Sequence, residues 1–138
     1  MLSVITAIAR AFGALRECKK TGNDIWAEKH TERIRELVEI YFPSGSGFDS
    51  GCGFDFEKSR ENKLVFYTSF HHMNNAGFYD GWSDHSVIVT PSLSLGFDVR
   101  VTGRNRNDIK VYIAELFAAA LASDTETETR IVGEGEKA

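Results

Sequence analysis

The stretch FHHMNNAGFYDGW, residues 70–82, concentrates side chains that can stack on a planar ligand or hydrogen-bond to its edge. Three large rings close together are more than a hairpin tip ordinarily carries, and an asparagine amide can read the edge of a base. This pattern predicts the aromatic half of a ligand pocket. Single aromatic side chains more often fold back onto the core, which is the alternative reading. The candidate ligand-binding residues of the stretch are His72, Asn74, Phe78, Tyr79 and Trp82.

A second stretch, GRNRND at 103–108, lies where a predicted strand gives way to a predicted helix. The unpaired N–H groups and the positive dipole end of that helix would lie beside its arginines, which predicts a phosphate or carboxylate site. Guanidinium groups match phosphate oxygens bidentately. The candidate residues of this anion-binding half are Arg100, Arg104, Asn105 and Arg106. Alternatively, these arginines are solvated or pair with Asp80, Asp84 or Asp98.

Catalytic and metal-binding patterns are weaker. His71 and His72 are adjacent on a predicted strand and therefore point to opposite faces, so His72 with His85 and an acid is the only reasonable metal set. We expect no metal and no cofactor. Cys52 lies in a glycine-rich loop without an evident catalytic partner. Binding is therefore favoured over catalysis, although hydrolysis by an aspartate with a histidine stays open.

Two stretches in the first 42 residues carry apolar side chains at helical spacing. The first runs from about Leu2 to Lys20, and the second follows the TGND break at 21–24 and ends before Pro43. Asp24 is predicted to cap the second helix, and proline cannot continue it. A short turn between two amphipathic helices predicts a helical hairpin at 2–42.

The middle of the chain changes to the two-residue period of β-strands. Strands are predicted at about 52–56, 64–73, 86–90 and 95–102, and both faces of the second are expected to be at least partly covered. Helical spacing returns after Gly103, in a helix that Asn107 or Asp108 caps. This order predicts an α+β fold: the N-terminal hairpin, a mainly antiparallel four-stranded sheet, and a C-terminal helix packed on the sheet.

Length and composition predict a single domain at 1–122, with the hairpin at 2–42 and the sheet and last helix at 47–122. The segment 123–138 is polar and acidic and is predicted to be disordered. This tail carries most of the chain's net charge of −4, which leaves the folded part nearly neutral. A nearly neutral folded part does not favour binding to long DNA or RNA, which requires a basic surface.

The two cysteines, Cys18 and Cys52, have neither metal-ligand nor disulfide-framework spacing, which indicates reduced thiols. The first helix contains Arg10 and Arg16 and lacks the apolar core and cleavage site of a signal peptide. Apolar runs stay shorter than the roughly 20 residues that cross a bilayer. A cytoplasmic location without membrane attachment is therefore expected.

The stretch FHHMNNAGFYDGW, followed by PSLSLGFDVRVTGRNRNDIKVYIAELF, resembles a group of small, mostly uncharacterised proteins of phages and prophages, over about 45–121. More loosely, the chain's size and its mixture of aromatic rings and arginines look like the phage anti-Thoeris sponges. Those proteins sequester cyclic ADP-ribose signalling nucleotides made by host immunity. The resemblance implies a phage-encoded protein in the host cytoplasm.

Three functions follow from these patterns. The first is a non-enzymatic binder that sequesters a small phosphorylated nucleotide, as a dimer or larger assembly, with arginines on the phosphates and rings on the base. The second is a protein-binding phage inhibitor, such as an anti-CRISPR, that uses its acidic surface as a nucleic-acid mimic. A small nucleotide hydrolase or nuclease is the third. Oligomerisation is expected because four short strands leave the apolar faces of the helices incompletely covered.

Overall fold

The computed structural model describes residues 2–43, 48–73, 79–91, 96–103 and 107–125. At 48–51, 72–73, 79–80 and 82 it describes the backbone, which lies in strands. Within these ranges the elements are α1 (Val4–Thr21), α2 (Asp24–Tyr41), β1 (Phe48–Phe54), β2 (Leu64–Met73), β3 (Tyr79–Pro91), β4 (Phe97–Val101) and α3 (Asn107–Leu121).

The two N-terminal helices form the predicted hairpin. Ser3 caps α1 by accepting a hydrogen bond from the Thr6 N–H, and Gly22 ends it in the left-handed conformation with φ of 74°. The cap of α2 differs from the prediction: the Asn23 side chain accepts from the Trp26 N–H, and Asp24 is the first helical residue. An asparagine before the helix supplies the acceptor, and the aspartate then adds favourable charge to the first turn.

The four strands form one antiparallel sheet in the order β1-β2-β3-β4, so each strand pairs with its neighbour in sequence. The bounds of β2 match the prediction. β3 is much longer than the predicted 86–90, because its pairing with β2 continues back to Tyr79 opposite Met73. The backbone from Tyr79 to Trp82 is therefore strand, although its asparagine- and glycine-rich surroundings suggested a loop.

The core lies between the helices and one face of the sheet. Phe66 of β2 is fully buried at its centre, with ring centroids 4.8 Å from Phe42, 5.2 Å from Phe54 and 6.0 Å from Phe117 of α3. Edge-to-face and tilted rings at these distances add stabilisation beyond the area they bury. The predicted α+β architecture is confirmed, with two helices, an antiparallel four-stranded sheet and a C-terminal helix.

Order continues past the predicted end of the folded part. The Val4 N–H donates to the Ser123 carbonyl at 2.8 Å, and both the N–H and the hydroxyl of Thr125 donate to the Leu2 carbonyl. Thr125 is 4% exposed. The prediction of disorder from Ser123 is therefore wrong for Ser123–Thr125, because their backbone groups pair with the start of α1; residues 126–138 lie outside the described residues.

Candidate functional site

The predicted site residues fall into three groups. Asn74, Phe78, Arg104, Asn105 and Arg106 lie outside the described residues. His72, Tyr79 and Trp82 are strand residues of β2 and β3 by their backbone. Arg100 of β4 is exposed, and its side chain is described.

The two predicted halves of the pocket leave the sheet at the same end. Trp82 pairs with His71 near the β2–β3 connection. The Thr102 carbonyl is 2.8 Å from Nδ1 of His85, and a Cβ added to Gly103 would lie 2.6 Å from that same nitrogen. The segment that leads to Arg104 therefore starts beside His85, about 10 Å along β3 from Trp82.

Arg100 is separate from this end of the sheet. It pairs with Ile88, six residues along β3 from Trp82, which is a separation of roughly 20 Å at the strand rise. Ile88 pairs in turn with Val65, so Val65, Ile88 and Arg100 form one row across three strands. The structure thus places Arg100 on the sheet face opposite the helices.

That face carries a groove of about 400 Å³, here called the open-face groove. Its residues come from the β1–β2 connection, from β2 and β3, and from Thr102 directly after β4: Glu57, Lys58, Arg60, Lys63, Val65, Ser86, Ile88 and Thr102. The volume falls within the range of small-molecule sites. Because Arg100 pairs with Ile88, it stands at the β4 side of this groove.

The β1–β2 connection, residues 55–63, is held against β2 by buried hydrogen bonds. The Val65 N–H donates to Ser59 Oγ at 2.9 Å, and the Asp55 N–H donates to the Val65 carbonyl at 2.8 Å. Nη1 of Arg60 donates to the Glu57 and Ser59 carbonyls at 2.6 and 2.7 Å. These bonds fix the backbone that carries the charged side chains of the groove.

The charge of the groove is positive, with three cationic side chains and one carboxylate. A salt bridge joins Arg35 to Glu32 on α2, away from the groove. Arg100 is exposed, which agrees with the alternative that it is solvated, and it makes no salt bridge with the described Asp84 or Asp98; Asp84 accepts a hydrogen bond from the Ser69 hydroxyl at 2.5 Å.

An exposed aromatic ring adjoins the groove. Tyr67 pairs with Ser86, a groove residue, and with Gly53 of β1, and it is 55% exposed. A Cβ on Gly53 would overlap the Tyr67 ring, so the missing side chain gives the ring its place against β1. The expectation that both faces of β2 are at least partly covered agrees with the burial on this face, where Val65 is 3% exposed and Tyr67 is the more open residue.

Lys58, Arg60 and Lys63 of the groove, and the neighbouring Tyr67, were missed from the sequence. The available signal was strand alternation, which puts Tyr67 on the face opposite Phe66. No periodic pattern pointed to the basic residues, because they belong to an irregular connection between two strands. In the part of the chain that the structure describes, there is no cluster of His, Cys, Asp and Glu able to hold a metal.

Comparison of the chain with models of known protein families, with curated proteins and with solved structures finds no match. None of the described helices is long and apolar enough to span a membrane. The groove combines cationic side chains, the groups that bind anions in proteins, with a neighbouring exposed ring of the kind that stacks on planar groups.

Proposed function

We propose that the protein binds a small phosphorylated nucleotide in the open-face groove and holds it without converting it. The observation that carries this proposal is the pairing of Tyr67, whose ring is exposed, with Ser86 of a groove that contains Lys58 and Lys63. A nucleotide presents a planar base and a phosphate within one small molecule, so it uses both features at once. Arg100, at the β4 side, adds a further cation to the three in the groove.

The predicted arginines of 103–108 support the same ligand. Thr102 lies in the groove, and Arg104 and Arg106 follow it by two and four residues. A phosphate in the groove would lie near Thr102, after which this segment begins in the sequence. Cyclic ADP-ribose and its relatives are the first ligands to test, because the resemblance to anti-Thoeris sponges implies that class.

Calorimetry and thermal unfolding with a set of related compounds test the proposal. Cyclic ADP-ribose, ADP and AMP should raise the unfolding temperature, since a ligand of the native state stabilises it by RT ln(1 + [L]/Kd). Adenosine lacks the phosphate and inorganic phosphate lacks the base, so each should bind more weakly than AMP. Recovery of the nucleotide unchanged after prolonged incubation would support binding without turnover, whereas its conversion would favour the hydrolase hypothesis.

Variants of Tyr67 and Arg100 locate the site. Tyr67→Ala removes stacking worth about 1 to 3 kcal/mol, or about 5- to 150-fold in affinity, whereas Tyr67→Phe keeps the ring and should bind normally. Arg100→Gln removes a charge-assisted contact and should cost about ten- to a hundredfold.

Control substitutions of the same residue classes lie on α2, against the other side of the sheet. Trp26→Ala removes a ring that is 51% exposed, and Arg33→Gln removes an exposed guanidinium. Neither should change affinity. Equal affinity in Tyr67→Ala, Arg100→Gln and the wild type would refute the groove as the binding site.

A further inference from the structure

Two polar side chains of β3 lie buried on the core face, away from the open-face groove. Ser83 and His85 are 7% and 3% exposed, and their spacing of two residues puts them on the same side of the strand. Ser83 Oγ is 2.6 Å from Nε2 of His85, and His85 Nδ1 is 2.8 Å from the Thr102 carbonyl. The three groups form one hydrogen-bonded chain.

The Thr102 carbonyl determines which ring nitrogen of His85 carries the hydrogen. A carbonyl oxygen only accepts hydrogen bonds, so Nδ1 of His85 carries the hydrogen and donates to Thr102. In the neutral ring, Nε2 then has a lone pair and accepts the Ser83 O–H. A hydroxyl bonded to a base, with that base oriented by a third group, is the arrangement that activates serine nucleophiles.

We propose that Ser83 is a nucleophile and His85 its general base, in hydrolysis of a small acyl ester. The Ser83 oxygen bonds to the acyl carbon while its proton moves to Nε2. The ester bond then breaks, and the departing alcohol takes that proton. Water attacks the acyl-serine with His85 again as base, and the carboxylic acid leaves as Ser83 regains its proton. The Thr102 carbonyl is a positioning group throughout.

The surroundings of Ser83 favour a small, apolar acyl group. Ser83 pairs with Phe70, which is 9% exposed and has its ring centroid 5.8 Å from that of Tyr112 in α3. Gly103 lies so close to His85 that a Cβ there would meet the ring, which leaves the base confined. This site is on the other face of β3 from the groove, so the proposal does not depend on nucleotide binding.

A fluorophosphonate probe followed by peptide mass mapping tests the nucleophile in the full-length protein. The wild type should gain one adduct, on Ser83, and should lose it when the chain is unfolded in urea, because activation requires the Ser83–His85 bond. His85→Gln should react at least about 100-fold more slowly, which is the low end of a general-base contribution. Ser69→Ala, a hydroxyl deletion on the opposite face of the sheet, should react like the wild type.

Hydrolysis of p-nitrophenyl acetate gives the second measurement. Ser83→Ala should remove most of the activity. A buried pair with only a structural role would hold the same hydrogen bonds but stay unreactive. Failure of the wild type to form an adduct, an adduct on another serine, or undiminished hydrolysis by folded Ser83→Ala would overturn the proposal.

Discussion

Ser59 holds the β1–β2 connection, which carries the basic residues of the groove, against β2 through a hydrogen bond with Val65. It is 1% exposed, and its Oγ accepts the Val65 N–H at 2.9 Å while its hydroxyl lies 3.4 Å from the Val65 carbonyl. Ser59→Ala deletes one oxygen and leaves the Val65 N–H without its acceptor. The Val65 carbonyl keeps a donor, because it also accepts from the Asp55 N–H at 2.8 Å.

The expected cost is that of a single buried, unsatisfied N–H, about 1 to 3 kcal/mol of unfolding free energy. Water cannot easily replace the acceptor, since Val65 is itself only 3% exposed. The protein should remain folded, because a domain of this size typically has about 5 to 15 kcal/mol in total. Nucleotide affinity should fall as well, since the same bond holds the connection that carries Lys58 and Lys63.

Urea unfolding measures the free energy, with Ser69→Ala as the matched control. The Ser69 hydroxyl also makes a hydrogen bond, to Asp84, but that bond is on the exposed face of the sheet. Its loss should cost no more than about 0.5 kcal/mol, as for most surface substitutions. If Ser59→Ala were as stable as Ser69→Ala, the Ser59 hydroxyl would not be what holds the connection against β2.

Three further outcomes are expected. Burial raises the pKa of the Cys52 thiol from 9.0 to about 11, and a hydrogen bond with Thr68 partly offsets this effect. The reactive thiolate is therefore rarer in the folded protein. At pH 8 a thiol reagent should label Cys52 about 100-fold more slowly in the folded protein than in urea. Because folding favours the protonated thiol, its stabilising contribution is complete below pH 9 and is lost as pH rises towards 11. Gly53→Ala should displace the exposed Tyr67 ring and therefore weaken nucleotide binding, which calorimetry measures. The free energy of unfolding should fall by less than about 1 kcal/mol. Unchanged nucleotide affinity would contradict the role of the ring. Light scattering at micromolar concentration should report a dimer or larger assembly, since Ile25 and Ile40 of α2 are 72% and 67% exposed, and a mass of 15.4 kDa would contradict this.

The elements that were predictable are those with a long, regular apolar period. α2, β2 and α3 match their predicted bounds to within about two residues, since their apolar faces pack on one core and Pro43 and Gly103 mark two of their flanks. β3 was predicted too short, because its first half carries no apolar alternation. Pairing with β2, an interaction distant in sequence, makes 79–85 a strand.

The groove was harder to predict than the fold because no single segment contains it. Lys58 and Lys63 line the same groove as Ser86 and Thr102 because the Ser59 hydroxyl binds the β1–β2 connection to β2. Nothing in the sequence distinguishes Ser59 from other serines in loops. Arg100 was predictable as a binding candidate from its residue type. Its distance from Trp82 was not, since that depends on the length and register of β3.

Strand β3 makes the two proposed sites independent of each other. Its odd-numbered residues Ser83, His85, Val87 and Val89 are buried against the helices. The even-numbered Ser86 and Ile88 line the groove on the other face. A shift of one residue in the pairing of β3 would exchange these faces and place the Ser83–His85 pair in solvent, so the buried valines that fix the register also keep both sites in place. Substitution at Ser83 should therefore leave nucleotide affinity unchanged, and substitution at Arg100 should leave probe labelling unchanged. Loss of both properties in either variant would indicate unfolding rather than damage to one site.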